Sequence, residues 1–157
     1  MSLKAKIKAG AESLGFVSVG FTSVEPVPEL QHYRNWIRNG QYAGMDYLAS
    51  TRALETRSDP KKLLPSCKTV ISLLSAYPPP STLSMPEVAF GAAGKIAAYA
   101  LLGDYHDVLR ERLESLADLI GKLADSAVET YPCVDSAPIL EKNYAQKAGL
   151  GWIGRNS

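Results

Sequence analysis

Asp135 is the residue whose surroundings in the sequence suit chemistry best. The apolar run from Val128 to Val134 reads as a short strand, Asp135-Ser136-Ala137 breaks it with an acidic, small-residue turn, and a helix is expected from Pro138 to Ala148. An acid at such a corner is held by rigid elements on both sides. Ser136 can act as the helix N-cap and Pro138 suits the first turn, so backbone N–H groups point back at the corner and favour a negative or hydrogen-bond-accepting group there. The plainer alternative is that Asp135 only caps the helix and the glycines after it only close it. Glu141 is a weaker acid, one turn along the helix beside Lys142. His32 lies on an amphipathic helix with no second ligand at helical spacing and reads as a surface residue. His106 opens the longest helix, either as an end-of-helix surface residue or as a pocket wall, and no partner marks it as a base. Gly149-Leu150-Gly151-Trp152-Ile153-Gly154 has dinucleotide-fingerprint spacing, but it follows a helix where that motif needs a strand, so the reading is rejected.

The elements that must position these residues form an α/β pattern. Leu3, Ile7, Ala11 and Leu14 recur at helical spacing from Ser2 to Leu14, and Gly15 stops the run. Phe16, Val17, Val19, Phe21 and Val24 predict a strand that Pro26 and Pro28 end. Leu30, Tyr33, Trp36 and Ile37 give a second helix, closed by Asn39-Gly40, and Tyr42 to Leu48 opens a short third. Arg57 then falls in a loop, just ahead of the turn signal Ser58-Asp59-Pro60 and a helical turn through Leu64. Lys68 to Tyr77, with Val70, Ile71, Leu73 and Leu74, reads as the most buried strand. Ser81 to Gly94 is an irregular stretch without a motif. From Asp104 to Ala124, Val108, Leu109, Leu113, Leu116, Ile120 and Leu123 make one apolar face with an acidic cap, while Arg110, Arg112 and Glu114 face outward. The expected fold class is a mixed sheet of the Phe16, Lys68 and Val128 runs, flanked by helices.

Composition narrows the function classes. A chain of 157 residues, 46% hydrophobic and 21% charged, can bury one sizeable core, and no linker or repeat divides it. A formal charge of +1 gives no basic footprint, so any nucleic-acid contact comes from a local patch or another part of the protein. Cys67 and Cys133 are too far apart for a Cys-x-x-Cys motif and give no disulfide framework, which points to a reducing cytoplasm. No apolar run approaches the ~20 residues of a membrane span, and the first residues open an amphipathic helix.

Four strings carry a family resemblance: Val134-Asp135-Ser136-Ala137-Pro138-Ile139-Leu140-Glu141; Gly149 to Asn156; Gly44-Met45-Asp46-Tyr47-Leu48 with Arg57-Ser58-Asp59-Pro60 behind it; and Gly103-Asp104-Tyr105-His106-Asp107-Val108-Leu109-Arg110. Together they span most of the chain and resemble epoxyqueuosine reductase, a cobalamin and iron–sulfur enzyme that completes queuosine in tRNA. The resemblance implies a flavin-nitroreductase-like cobalamin-binding domain, of which residues 1–157 are the amino-terminal part. It makes Asp135 the proton donor to the epoxide, beside the cobalt face of the corrin. It places Arg57, Tyr99, Ser136, Ala137, Gly154 and Asn156 with Asp135 around the cofactor, and Tyr105 and His106 against the substrate. For Asp135 to act as an acid near neutrality, burial or an apolar ceiling formed by Val134, Ala137, Pro138 and Trp152 is expected to raise its pKa. One stretch departs from the family: Ala98, Leu101 and Leu102 stand where relatives carry arginines, so charge contacts to cofactor or tRNA are lost there. The cysteines that hold two 4Fe-4S clusters in relatives lie downstream of the residue matching Ser157, and two cysteines cannot bind a cluster that takes four. The chain is then expected to be a fragment, a separate subunit or a degenerate paralogue, with a sheet edge open to homodimerisation. A non-catalytic corrinoid or flavin binding or trafficking module is the alternative, and a small helical interaction domain a third.

Overall fold

The computed structural model describes residues 1–77 and 103–155. Tyr99, Asn156, the Ala98 to Leu102 departure and the Ser81 to Gly94 stretch lie outside them. The elements run α1 (Leu3–Ser13), β1 (Ser18–Ser23), α2 (Leu30–Arg38), α3 (Asp46–Ala49), α4 (Thr51–Ser58), a 3₁₀ turn (Pro60–Lys62), β2 (Thr69–Leu74), α5 (Tyr105–Leu123) and α6 (Glu141–Lys147). β1 and β2 pair antiparallel, with Ser18 opposite Leu74 and Ser23 opposite Thr69, and α2 to α4 fill the connection between them. The expected α/β class is present, and among the described residues the sheet is the antiparallel pair of the Phe16 and Lys68 runs where a mixed sheet of three was expected.

Three layers result. On one face of the sheet, α1 and α5 pack together, and Ile7, Ala11, Phe16, Val19, Leu116 and Ile120 form the buried core. Burying such a Leu, Ile or Phe side chain contributes ~1.5–3 kcal/mol each. Gly10 permits the close helix contact, since a Cβ there would lie 2.1 Å from Leu119 Cδ2. On the other face sits the end of α6, where a Cβ on Gly20 would meet Ala148 Cβ at 2.7 Å, its carbonyl oxygen at 2.9 Å and Leu150 Cγ at 2.9 Å. Tyr144, the most deeply buried large side chain of the core, donates from its hydroxyl to the Glu25 carbonyl at 3.3 Å. Lys147 Nζ donates to the same carbonyl at 3.1 Å. α6 is thereby tied to the end of β1.

Several sequence expectations are corrected. Residues 127–133 carry no strand: Val128 and Tyr131 are exposed, no ladder partner lies beside them among the described residues, and Pro132 has no N–H to give one. β2 is half-buried with exposed ends, whereas Val19 and Gly20 of β1 are buried. Arg57 lies in the last turn of α4, not in a loop; that helix is capped by Ser50, whose hydroxyl accepts from the Ala53 N–H at 3.2 Å. α6 begins at Glu141, three residues beyond the expected start at Pro138, and Leu140, not Ser136, occupies its cap position. Its other end matches the glycine stop: Gly149 has φ 79° and the Leu150 N–H reaches back to the Ala145 carbonyl at 3.0 Å. On α5, Val108 is exposed, and Arg112 is half-buried against Gly15 instead of facing solvent.

Candidate functional site

The start of α5 and the loop before α6 bring one cluster together. The Asp104 carboxylate caps α5 by accepting from the His106 N–H at 2.9 Å, as the acidic cap in the sequence predicts. An N-cap carboxylate bonded to the second helical N–H also sits beside that residue's side chain. Asp104 Oδ1 accordingly lies 2.8 Å from His106 Nδ1. The Tyr105 and His106 rings stack with centroids 4.1 Å apart. Tyr105 donates its hydroxyl to Asp135 Oδ2 at 2.8 Å, and His106 Nε2 lies 3.9 Å from that same oxygen. His106 thus has two carboxylate partners, which corrects the reading that it has none.

Asp135 sits at φ 55°, in the left-handed region. The neighbouring turns are too tight for a helix: Ser136 N–H bonds to the Val134 carbonyl, and Ile139 N–H to the Ala137 carbonyl at 2.8 Å. The second of these takes up the Ala137 carbonyl, which would accept the first bond of a helix from Pro138. Glu141 clamps the turn from α6, its Oε1 accepting from the Asp135 N–H at 2.9 Å. Desolvation raises the Glu141 carboxyl pKa, the Asp135 N–H lowers it, and the Asp135 charge raises it again. The Asp104 carboxyl is lowered, first by the His106 backbone N–H and then by the His106 ring. Cys133 is pushed up to about 11 by burial and then by the Glu141 charge, so its thiol stays protonated and unreactive at neutral pH.

The apolar ceiling expected over Asp135 is absent among the described residues. Its side chain is 69% exposed and Trp152 is 88% exposed. Behind the loop lies a cavity of about 220 Å³ lined by Arg52, Arg110, Cys133, Ser136 and Ala137, among others. Arg52 and Arg110 come to it from different helices, beside the Glu114 carboxylate. A larger groove of about 540 Å³ between α2 and α4, lined by Arg34, Arg38, Ile37 and Leu54, has no part in the Asp135 cluster.

Arg57 is not brought to Asp135 by any hydrogen bond or ion pair among the described residues. Its guanidinium stands over the Tyr33 ring, 5.1 Å from the centroid, and Tyr33 bonds to the Leu48 carbonyl. Burial raises the Tyr33 pKa despite the opposing Arg57 charge. The Arg57 Nη1 atom is buried with no hydrogen-bond partner. His32 is exposed, as expected. Asp104 as an orienting group, Glu141 as a backbone clamp and the pair Arg52 and Arg110 were not singled out from the sequence. Only the Asp104-Tyr105-His106 spacing at a helix start could have shown the first.

The family described as Epoxyqueuosine reductase QueG, DUF1730 matches residues 57–136, more than half of the chain and including Asp104, Tyr105, His106 and Asp135. The chain belongs to the epoxyqueuosine reductase family. It is 38% identical over 156 residues to epoxyqueuosine reductase of Pseudomonas aeruginosa, covering 99% of this chain and 42% of that one. To the Escherichia coli K12 epoxyqueuosine reductase it is 40% identical over 163 residues, covering 99% and 40%. Among solved structures, epoxyqueuosine reductase from Streptococcus thermophilus superposes with a TM-score of 0.85 at 32% identity, covering 99% of this chain and 41% of that one. An epoxyqueuosine reductase crystallised with a tRNA-Tyr epoxyqueuosine-modified stem loop gives 0.73 at 26% identity, covering 98% and 40%. The chain spans about two fifths of the length of the relatives it matches.

Proposed function

We propose that residues 1–157 are the amino-terminal part of a flavin-nitroreductase-like, cobalamin-binding domain, and that the whole protein reductively removes the epoxide oxygen of epoxyqueuosine in tRNA. The observation that carries this reading is Asp135, a carboxyl at φ 55° held from two sides with its surface left open. Turning an epoxide into an alkene breaks two carbon–oxygen bonds and releases water, consuming two electrons and two protons. Bound cobalamin supplies the low-valent cobalt chemistry. Asp135 supplies a proton to the departing oxygen. With Tyr105 on Oδ2, the other carboxyl oxygen is the one that presents it. Glu141 keeps the turn from relaxing, and Tyr105 and His106 form the adjoining wall.

The donor set suits a cofactor rich in amide and phosphate acceptors. Arg57 carries a buried, unsatisfied Nη1, and a buried donor without an acceptor is costly unless a ligand completes it. Ser136 and Ala137 offer a narrow turn, and Gly154 is a further proposed contact. Tyr99 and Asn156 complete the proposed contacts. Iron–sulfur clusters do not fit these residues: the chain has two cysteines where a cluster takes four, so the electron source lies elsewhere in the protein. The relative bound to a modified tRNA stem loop supports tRNA as substrate.

Asp135→Asn tests the assignment in the full-length, cobalamin-loaded protein. Asn tolerates the left-handed region, so folding and cobalamin binding are expected to persist while turnover falls ~10²- to 10⁴-fold. Wild-type turnover by this variant would return Asp135 to a turn-forming role.

A further inference from the structure

Deoxygenation consumes two protons per turnover, and one carboxyl holds one. If Asp135 is the donor, as the reading above has it, it must be recharged within the cycle, and the geometry next to it supplies the means. Asp104, a carboxylate that only accepts, takes the Nδ1–H of His106 at 2.8 Å, which leaves the Nε2 lone pair of the neutral ring free. That atom is 3.9 Å from Asp135 Oδ2, and the His106 side chain is 34% exposed, so it touches solvent on one side and the acid on the other. Stacking on Tyr105, whose hydroxyl bonds the same carboxyl, fixes the plane of the ring. The groups facing the ring are Asp104 and Tyr105 from α5 and Asp135 from the loop. Arg110, one turn along α5, acts on Asp104, and Glu141 reaches the Asp135 backbone.

We propose that His106 is a proton relay: Nε2 takes a proton from solvent and passes it through one bridging water across the 3.9 Å gap to Asp135 Oδ2, with Asp104 as the positioning residue. The bonds balance. One N–H forms from a solvent acid, then breaks as one O–H forms on Asp135, and a half-turn of the carboxyl about Cβ–Cγ, a soft two-fold torsion, brings that oxygen to the substrate. No oxidant or reductant enters the transfer.

The test is chemical rescue in the full-length, cobalamin-loaded enzyme. His106→Ala is expected to lower steady-state turnover about 10- to 100-fold, at or below the usual range for a proton-transfer group. Added imidazole should restore the rate in proportion to its concentration, and it should leave Asp135→Asn inactive. His106→Gln, which retains an N–H donor for Asp104 and cannot relay, serves if the alanine variant fails to fold and should show the same loss. In the present chain, the ¹⁵N spectrum of His106 should show the Nδ1–H tautomer of the neutral ring, and Asp104→Asn should shift it toward Nε2–H. Full turnover in His106→Ala, a loss that no buffer acid relieves, or an Nε2–H tautomer in the wild-type chain overturns the relay. If His106→Ala is impaired and rescued but Asp135→Asn turns over normally, the donor assignment fails and the relay to Asp135 fails with it. An inactive Asp135→Asn beside a fully active His106→Ala removes the relay alone.

Discussion

A non-glycine residue in the left-handed region costs on the order of 1–2 kcal/mol, and Asp135 at φ 55° carries that cost because hydrogen bonds on both its side chain and its backbone hold it. Glu141 holds the backbone. Glu141→Ala strands the Asp135 N–H and is expected to cost ~0.5–1.5 kcal/mol in urea unfolding at neutral pH. Glu141→Gln keeps an acceptor and should be neutral or slightly stabilising there, because it removes a charge that the site disfavours. The sign follows from the raised pKa of Glu141: a folded state that binds its proton more tightly gains stability from this group below the unfolded pKa, and loses that gain as pH rises through the folded value. Wild-type stability measured from about pH 4 upward should therefore carry a falling contribution that Glu141→Gln abolishes. Identical pH profiles for the two proteins would remove Glu141 as its source.

At the scale of elements, the fit of α6 against β1 decides where that clamp stands. Gly20→Ala forces a Cβ against the Ala148 carbonyl and the Leu150 side chain, and overpacking of this kind costs ~1–3 kcal/mol. For a chain of this size that is a fall in melting temperature of roughly 2–12 °C. Gly121→Ala is the opposite case. Gly121 lies inside α5 with nothing within 4 Å of its Cβ position, so the same substitution should stabilise by up to about 1 kcal/mol. Equal effects of the two substitutions would mean that α6 does not pack on Gly20.

For the whole molecule, a two-stranded sheet has two edges, and no other strand among the described residues covers them. Val17 and Leu74, hydrogen-bonded at its end, are both exposed. Open edges and apolar patches pair with whatever is available, so we expect residues 1–157 alone to form a homodimer through a sheet edge. Sedimentation velocity should show concentration-dependent association that Leu74→Lys weakens. A monomer at every accessible concentration, with a sharp melt, would mean that the sheet closes without a partner. No helix among the described residues is long and apolar enough to cross a membrane.

The sequence by itself determined much of the local order. Helical spacing located α1 and α5, the Asp104 cap is written in the residue types, and Gly149 marks the end of α6, because these are short-range effects of period, cap and backbone freedom. Family membership was legible as well, from four strings whose order and spacing survive in this chain. Only the tertiary structure decided the rest. Val128 to Val134 looks like a strand by composition but has no ladder partner among the described residues, and a strand exists only when another segment supplies its hydrogen bonds. The late start of α6 depended on whether the Ala137 carbonyl bonded locally, as it does to the Ile139 N–H, or four residues on along a helix. The meeting of His106 with Asp135 joins residues 29 positions apart, and the exposure of Asp135 depends on what packs above it. Those are facts of packing across the chain, which no local pattern encodes.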